Sequence, residues 1–248
     1  MIVLQFDAAY YEWGLLMIRS LALHEPRKKV LADTVNLSGA QRAKVARAHP
    51  RILVTTETLS NAGSLREEMA CRKIRVLQRA LDAFPDERWF GVFDADMLVR
   101  RALPDLWAKL DEHEAALIMT NGMWAGRRYP HLLAQSSIVL VRRDGRALVD
   151  NWMKWSRHPE PLFSRRPGEW FWDQCTLLQA SNETRLNYSI IPIHDFACDT
   201  CARSAAVWSA HVQDKERYYR YFRVEHERQR ILMARPQWAA RRLVATKS

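Results

Sequence analysis

Apolar and polar positions alternate between two periods along the first hundred residues. Residues 2–6 (IVLQF) form a short apolar run that stops at Asp7, the pattern of a buried strand. Trp13, Leu16, Met17, Leu21 and Leu23 then recur at helical spacing. They predict a helix over residues 10–24, ended by Pro26. Residues 30–37 predict a second strand, and Ser38 is a favourable N-cap for a helix over 40–48. A β-branched strand over 52–56, a helix over 65–84 stopped by Pro85, and a strand over 89–93 follow. The order β-α-β-α-β-α-β predicts an α/β fold built on a mainly parallel sheet flanked by helices.

The second half is less regular. It predicts a helix over 103–110 opened by Pro104, strands over 115–120 and 136–141, and helices over 146–155 and 171–180. Residues 188–193 and 205–212 read as further strands. From residue 217 the texture changes. Arg217, Arg220, Arg223, Arg228, Arg230, Arg235, Arg241, Arg242 and Lys247 stand against only Glu225 and Glu227. Tyr218, Tyr219, Tyr221, Phe222 and Trp238 are interleaved. The expected organisation is one domain over 1–216 and a basic, aromatic, helical extension over 217–248.

Composition narrows the function classes. The chain has 248 residues, 48% of them hydrophobic, enough for a core, and no run long enough to span a bilayer. The first residues carry no basic lead-in, which favours the cytoplasm. A net charge of +10 points to acidic partners: nucleotide phosphates, an anionic membrane surface or nucleic acid. No nucleic-acid recognition motif is present. The 217–248 pattern instead suits peripheral contact with the membrane's inner face. Cys71, Cys175, Cys198 and Cys201 form no disulfide framework in a chain this long. His194 precedes the Cys198/Cys201 pair, but a zinc knuckle needs a second ligand pair.

The chemistry concentrates in WFGVFDADMLVRR, residues 89–101. An apolar strand runs straight into Asp94 and Asp96. Two like charges at such a place require a cation or a proton. In an extended segment both carboxylates point to one side, with Cα atoms ~6.5 Å apart, a reach that suits one hard divalent cation. In parallel α/β sheets ligands collect beyond the carboxyl ends of the strands, where Asp94 is expected. A solvent-facing loop pair is the bland alternative. A haloacid-dehalogenase-like aspartate nucleophile is another, but Leu98 stands where that pattern has threonine, and the strand is the fourth, not the first.

With these residues in view, the chain resembles the GT-A glycosyltransferases, in particular the family 8 retaining galactosyl- and glucosyltransferases. The matching segments are IVLQFDAAYYEWGLLMIRSLALHEP, CRKIRVLQRAL, VFDADMLV, RALPDLWAKL, WFWDQCTLL and VWSAHVQDK, in that order over about residues 1–215. The resemblance implies that Asp7 and Tyr10 hold the base of a UDP-sugar. It implies that Asp94, Asp96 and His211 bind Mn²⁺ or Mg²⁺. Asp173 would orient sugar hydroxyls and Gln174 would face the anomeric carbon. Lys73 is the first choice for a basic contact to the nucleotide sugar, with Arg72 and Arg75 as alternates. Two segments depart from the family. His211-Val-Gln-Asp-Lys lacks the glycine and the Lys-Pro-Trp of the usual closing loop, leaving Lys215 or Arg217 to supply charge to the diphosphate. AQSSIVLV, with Gln135, Ser136 and Ser137, replaces an asparagine-containing acceptor segment. The implied activity is transfer of a hexose to a glycan or lipid-linked acceptor in polysaccharide biosynthesis. A non-catalytic binding protein on the same fold is the alternative.

Overall fold

The computed structural model describes residues 1–59, 65–120, 122–124, 127–128, 133–158, 160–163, 165, 169, 171–192, 196–198, 201–210 and 214–245. The first half follows the sequence pattern closely. β1 (Ile2–Asp7), α1 (Tyr11–His24), β2 (Val30–Val35), α2 (Gly39–Ala46), β3 (Ile52–Glu57), α3 (Leu65–Ala83) and β4 (Trp89–Asp94) alternate as expected. Ser38 caps α2 reciprocally: its Oγ accepts from the Gln41 N–H at 3.2 Å, and Gln41 Oε1 accepts from the Ser38 N–H at 2.9 Å.

The second half contains β5 (Met97–Val99), α4 (Pro104–Glu112), β6 (Ala115–Met119), β7 (Met123–Trp124), β8 (Arg127–Arg128) and β9 (Ala134–Arg142). It continues with α5 (Arg146–Ser156), α6 (Trp172–Glu183), β10 (Tyr188–Ile190), β11 (Phe196–Cys198), β12 (Val207–Ser209) and α7 (Lys215–Ala245). The last predicted strands are shorter than their apolar runs, because β10 and β12 each find only three paired positions.

The main sheet has seven strands in the order β10-β6-β9-β4-β1-β2-β3. β3, β2, β1 and β4 run parallel, while β9 is antiparallel to both β4 and β6. Alternate residues of β1 feed two cores. Ile2, Leu4 and Phe6 enter one with α1 and α4, and Met1 and Val3 enter the other with α3, α5 and α6. Burying each such side chain contributes roughly 1.5–3 kcal/mol before the entropy of ordering is set against it. Gly14 lets α1 approach β1 closely, since a Cβ there would lie 2.7 Å from the Phe6 ring. Beside the main sheet, β5 pairs antiparallel with β12, and β12 pairs parallel with β11.

The basic C-terminal stretch is helical, and its first turns are core. Phe222 is fully buried, with its ring 5.5 Å from Trp13 and 5.8 Å from Trp208. Tyr219 lies 5.0 Å from Trp13. Arg100 donates through Nε and Nη2 to Glu225 Oε1 and through Nη1 to the carbonyls of Ala202, Arg203 and Ala205. Positions 218, 222, 225, 226 and 229 form one helical face, so charge on the other faces conceals an ordinary amphipathic docking surface. Among the described residues, no helix is long and apolar enough to cross a membrane.

Candidate active site

β1 and β4 are paired parallel, with Gln5 opposite Asp94, so Asp7 and Asp94 end neighbouring strands at the same edge of the sheet. Asp7 Oδ1 accepts from the Tyr10 N–H at 3.0 Å and closes the turn into α1. This brings Tyr10 to the same edge. β4 ends at Asp94, and a turn over Ala95–Asp96 leads into β5. The two aspartates are therefore not on one extended segment, as the i, i+2 argument supposed. The turn sends each carboxylate to its own lysine.

Lys73, on α3, lies 3.0 Å from Asp94 Oδ1 and 2.8 Å from Asp173 Oδ2. Its Nζ also donates to Ser136 Oγ at 3.2 Å, and Ser136 donates to Asp173 Oδ2 at 2.5 Å. Three elements thus converge on one ammonium. Lys215, at the start of α7, lies 2.6 Å from Asp96 Oδ2 and donates to the Tyr10 hydroxyl at 2.7 Å. The same ammonium sits 4.3 Å from the centre of the Tyr10 ring. Among the described residues, Asp94 Oδ2 and Asp96 Oδ1 accept no hydrogen bond.

Electrostatics separate the carboxylates. Burial lifts the Asp94 carboxyl above its usual range. Lys73 opposes this, while Asp96 and Asp173 push it further up. Burial also pushes Asp173 up, but Lys73 and the Ser136 hydroxyl outweigh it and hold the group below the usual range. Burial pulls Lys73 down, yet Asp173 and Asp94 raise it above an ordinary lysine, so it stays charged. Lys215 is likewise raised by Asp96 against its own desolvation. Among the described residues the cluster holds three carboxylates and two lysines, so one negative charge is unmatched.

Local backbone features aim these groups. Phe171, immediately before α6, adopts a left-handed conformation at φ 71°. Such a conformation costs a residue with a Cβ about 1–3 kcal/mol and persists only where the surroundings enforce it. It turns the chain so that Asp173 opens the helix toward Lys73. Buried Trp152 fixes that turn, donating from Nε1 to the Asp173 carbonyl at 3.0 Å and to Thr176 Oγ1 at 3.1 Å. Gln174 follows in the same turn, with its N–H donating to the Phe171 carbonyl at 3.1 Å. In β9 the pairing with β6 jumps from Leu117–Val139 to Ile118–Gln135. This irregularity, of the kind that re-aims side chains beside sites, includes Ser136.

The structure sorts the basic candidates of α3. Arg72 is buried in a structural cluster with Asp33 and Glu57, and Arg75 pairs with Glu68. Only Lys73 reaches the aspartates. Ser136 belongs to the cluster although the sequence marked it only as part of a divergent acceptor segment. Its signal was its place near the end of the strand that pairs with β4. His211 and His194 lie outside the described residues. The Ala210 N–H, just before His211, donates to the Asp96 carbonyl at 3.0 Å. Among the described residues, no three His, Cys, Asp or Glu side chains are grouped to hold a metal. The donor set still fits a hard divalent cation: two carboxylates, each with an uncommitted oxygen, in a cluster short of one positive charge. The Cys71 thiol donates to the Ser156 carbonyl at 3.8 Å, among the described residues Cys175 and Cys201 form no disulfide, and burial pushes Cys175 up to about 12.

No protein-family model and no curated protein matches the chain. Solved structures do match. The galactosyltransferase LgtC, in complex with donor and acceptor sugar analogues, aligns with a TM-score of 0.55 at 15% identity, over 90% of this chain and 95% of that one. The bifunctional glycosyltransferase WbbM, in its apo form, aligns at 0.57 and 13% identity, over 91% of this chain and 49% of that one. A glycosyltransferase involved in glycosylation of the major capsid of PBCV-1 aligns at 0.56 and 10% identity, over 90% and 98% of the two chains. The chain has the fold of these glycosyltransferases, the GT-A fold, as the sequence resemblance implies.

Proposed function

We propose that this chain is a metal-dependent glycosyltransferase that moves a hexose from a UDP-sugar to a glycan or glycolipid acceptor with retention. The observation that carries the reading is the acid-rich cluster of Asp94, Asp96 and Asp173 at the carboxyl edge of β4 in a GT-A sheet. Asp94 and Asp96, with His211, would hold Mn²⁺ or Mg²⁺. When bound, the cation supplies positive charge to the departing diphosphate. Asp7 and Tyr10 hold the nucleotide base. Lys73 contacts the donor and keeps Asp173 ionised, so that Asp173 accepts hydrogen bonds from sugar hydroxyls. Gln174 faces the anomeric carbon and is too weak a base to serve as a nucleophile. The acceptor hydroxyl therefore attacks from the face the leaving group departs, and gives its proton to the leaving phosphate. Lys215, or Arg217, adds charge to that phosphate.

The remaining parts of the proposal concern setting. The enzyme works on polysaccharide or glycolipid at the inner face of a membrane, held there peripherally by the basic helix α7. Substituting Asp94→Ala is expected to abolish Mn²⁺-dependent UDP-sugar turnover while leaving the melting temperature near that of the parent. Full activity in that variant would remove the metal assignment. One observation favours a second reading, a binding protein without turnover: both aspartates already carry a lysine partner. Binding of UDP-sugars that Mn²⁺ leaves unchanged, with no hydrolysis or transfer, would select it.

A further inference from the structure

At the opposite end of β5 from Asp96, a pocket of about 500 Å³ opens between α7 and the segment leading into β12. Arg100, Arg203 and Arg228 line it against a single carboxylate, Glu225, with Trp208 and Tyr221 among its walls. Glu225 is saturated. Arg100 donates to its Oε1 at 3.0 Å, Arg228 donates to both of its oxygens at 2.8 Å, and Gln229 donates at 2.8 Å. Burial pushes Glu225 up, but these donors hold it at about 2, so it stays ionised. The pocket keeps an excess of two positive charges, and Arg203 stands exposed at it. An anion is the complementary ligand.

The adjoining helix face says what the anion is attached to. Tyr221, Val224, Arg228, Ile231 and Leu232 recur at the spacing of one α-helical face. Val224 is 70% exposed, Tyr221 50% and Ile231 46%, and five of the eight exposed large hydrophobics among the described residues lie on α7. This row begins at the pocket and continues along α7 to residues 231–234, all of which are exposed, next to the face that carries Phe222. Arg217 and Arg220 flank its start.

We propose that the pocket binds the phosphate of an anionic phospholipid, with the Tyr221–Leu232 row lying against the acyl region. This rests on the membrane contact proposed above and assigns it a specific headgroup site. The test is sedimentation of the full chain with phosphatidylcholine vesicles, with and without phosphatidylglycerol. A deletion from residue 217 would strip Phe222 from the core, so point variants are used. The parent is expected to pellet only with phosphatidylglycerol. Arg203→Gln/Arg228→Gln and, separately, Val224→Asp should each bind about tenfold more weakly at unchanged melting temperature. Arg223→Gln/Arg230→Gln removes the same charge from another face and should cost less than about threefold. Equal losses in the two arginine pairs, or none in the first, would overturn the pocket while leaving membrane contact standing. A parent that never pellets would remove both. Complete release by glycerol phosphate, with Val224→Asp binding like the parent, would overturn the lipid in favour of a soluble phosphate ester.

Discussion

Two ionic clusters tie this molecule together, and they are built to opposite specifications. Around Arg100 and Glu225 every donor has an acceptor: two bonds to the carboxylate, three to carbonyls, and the guanidinium stacked 4.1 Å from the Trp208 ring. Around Asp94 the bonding is incomplete: three carboxylates share two lysines, and among the described residues two carboxylate oxygens accept no hydrogen bond. The matched cluster holds α7 to the domain. The incompletely bonded one lies at the carboxyl edge of the sheet, where ligands collect in α/β folds; burial and its neighbouring carboxylates raise Asp94, and Asp173 and Asp94 keep Lys73 charged. Buried polar groups with complete partners give rigidity, whereas an incomplete set marks a place prepared for something else. Lys215 connects the two, since the helix anchored by Glu225 also delivers the ammonium that meets Asp96.

The sharpest way to break this contrast is to take donors out of the fully bonded cluster. Arg100→Met would leave three carbonyls and Glu225 short of donors. It should cost about 3 kcal/mol or more of folding free energy, read from denaturant unfolding with the slope held constant. A small loss would mean that α7 does not depend on this pair. Next in size is Lys73→Met. Turnover of UDP-sugar should fall about a hundredfold, because Asp173 loses the cation that keeps it ionised and aimed. Mn²⁺ should nonetheless bind more tightly, since the negative excess has grown. Weaker Mn²⁺ binding would contradict the assignment of the two lysines as built-in counter-charges.

How much of this could be read from residues alone differs between the halves. β1 to β4 were visible because each is a short run rich in apolar or β-branched residues with a charged residue at one boundary, and local sequence decides such strands. Asp94 was found for the same reason. β5 escaped notice because three apolar residues after a turn have no period, and only pairing with β12 makes them a strand. Lys73 was already the first choice over Arg72 in the sequence, and α3 sends these adjacent side chains to different ionic clusters. The docking of Phe222 onto Trp13 joins residues about two hundred positions apart, beneath a surface whose arginines dominate the composition. Ser136 needed the irregular β9 register. Such contacts are long-range, and no local propensity encodes them.

Smaller effects sharpen the same contrast. Ser136→Ala should lower turnover about tenfold by removing one hydroxyl donor from Asp173, and Ser136→Thr should restore part of it. An unchanged rate would place Ser136 in packing only. The smallest prediction concerns acid. Among the described residues, the buried Nε2 of His24, at the end of α1, has no hydrogen-bond partner. Burial, together with neighbouring His226 and Arg100, lowers it to about 4 against the opposing pull of Glu225. Its folded value is below its unfolded one, near 6.5, so the unfolded chain binds more protons between them. Stability is full above about 6.5 and declines as pH falls toward 4. His24→Leu should therefore lose less melting temperature than the parent between neutral pH and pH 4. Parallel curves would show that this end of α1 does not sense protons.

The central claim is that the charge missing at the sheet edge is a divalent cation shared with a diphosphate. Titrating UDP into the full chain by calorimetry, with Mn²⁺ and then with EDTA, tests it most directly. The account predicts that Mn²⁺ tightens UDP binding at least tenfold in the parent, a coupling that is reciprocal by linkage, and does nothing in Asp94→Asn. Equal UDP affinity with Mn²⁺ and with EDTA in the parent would contradict it.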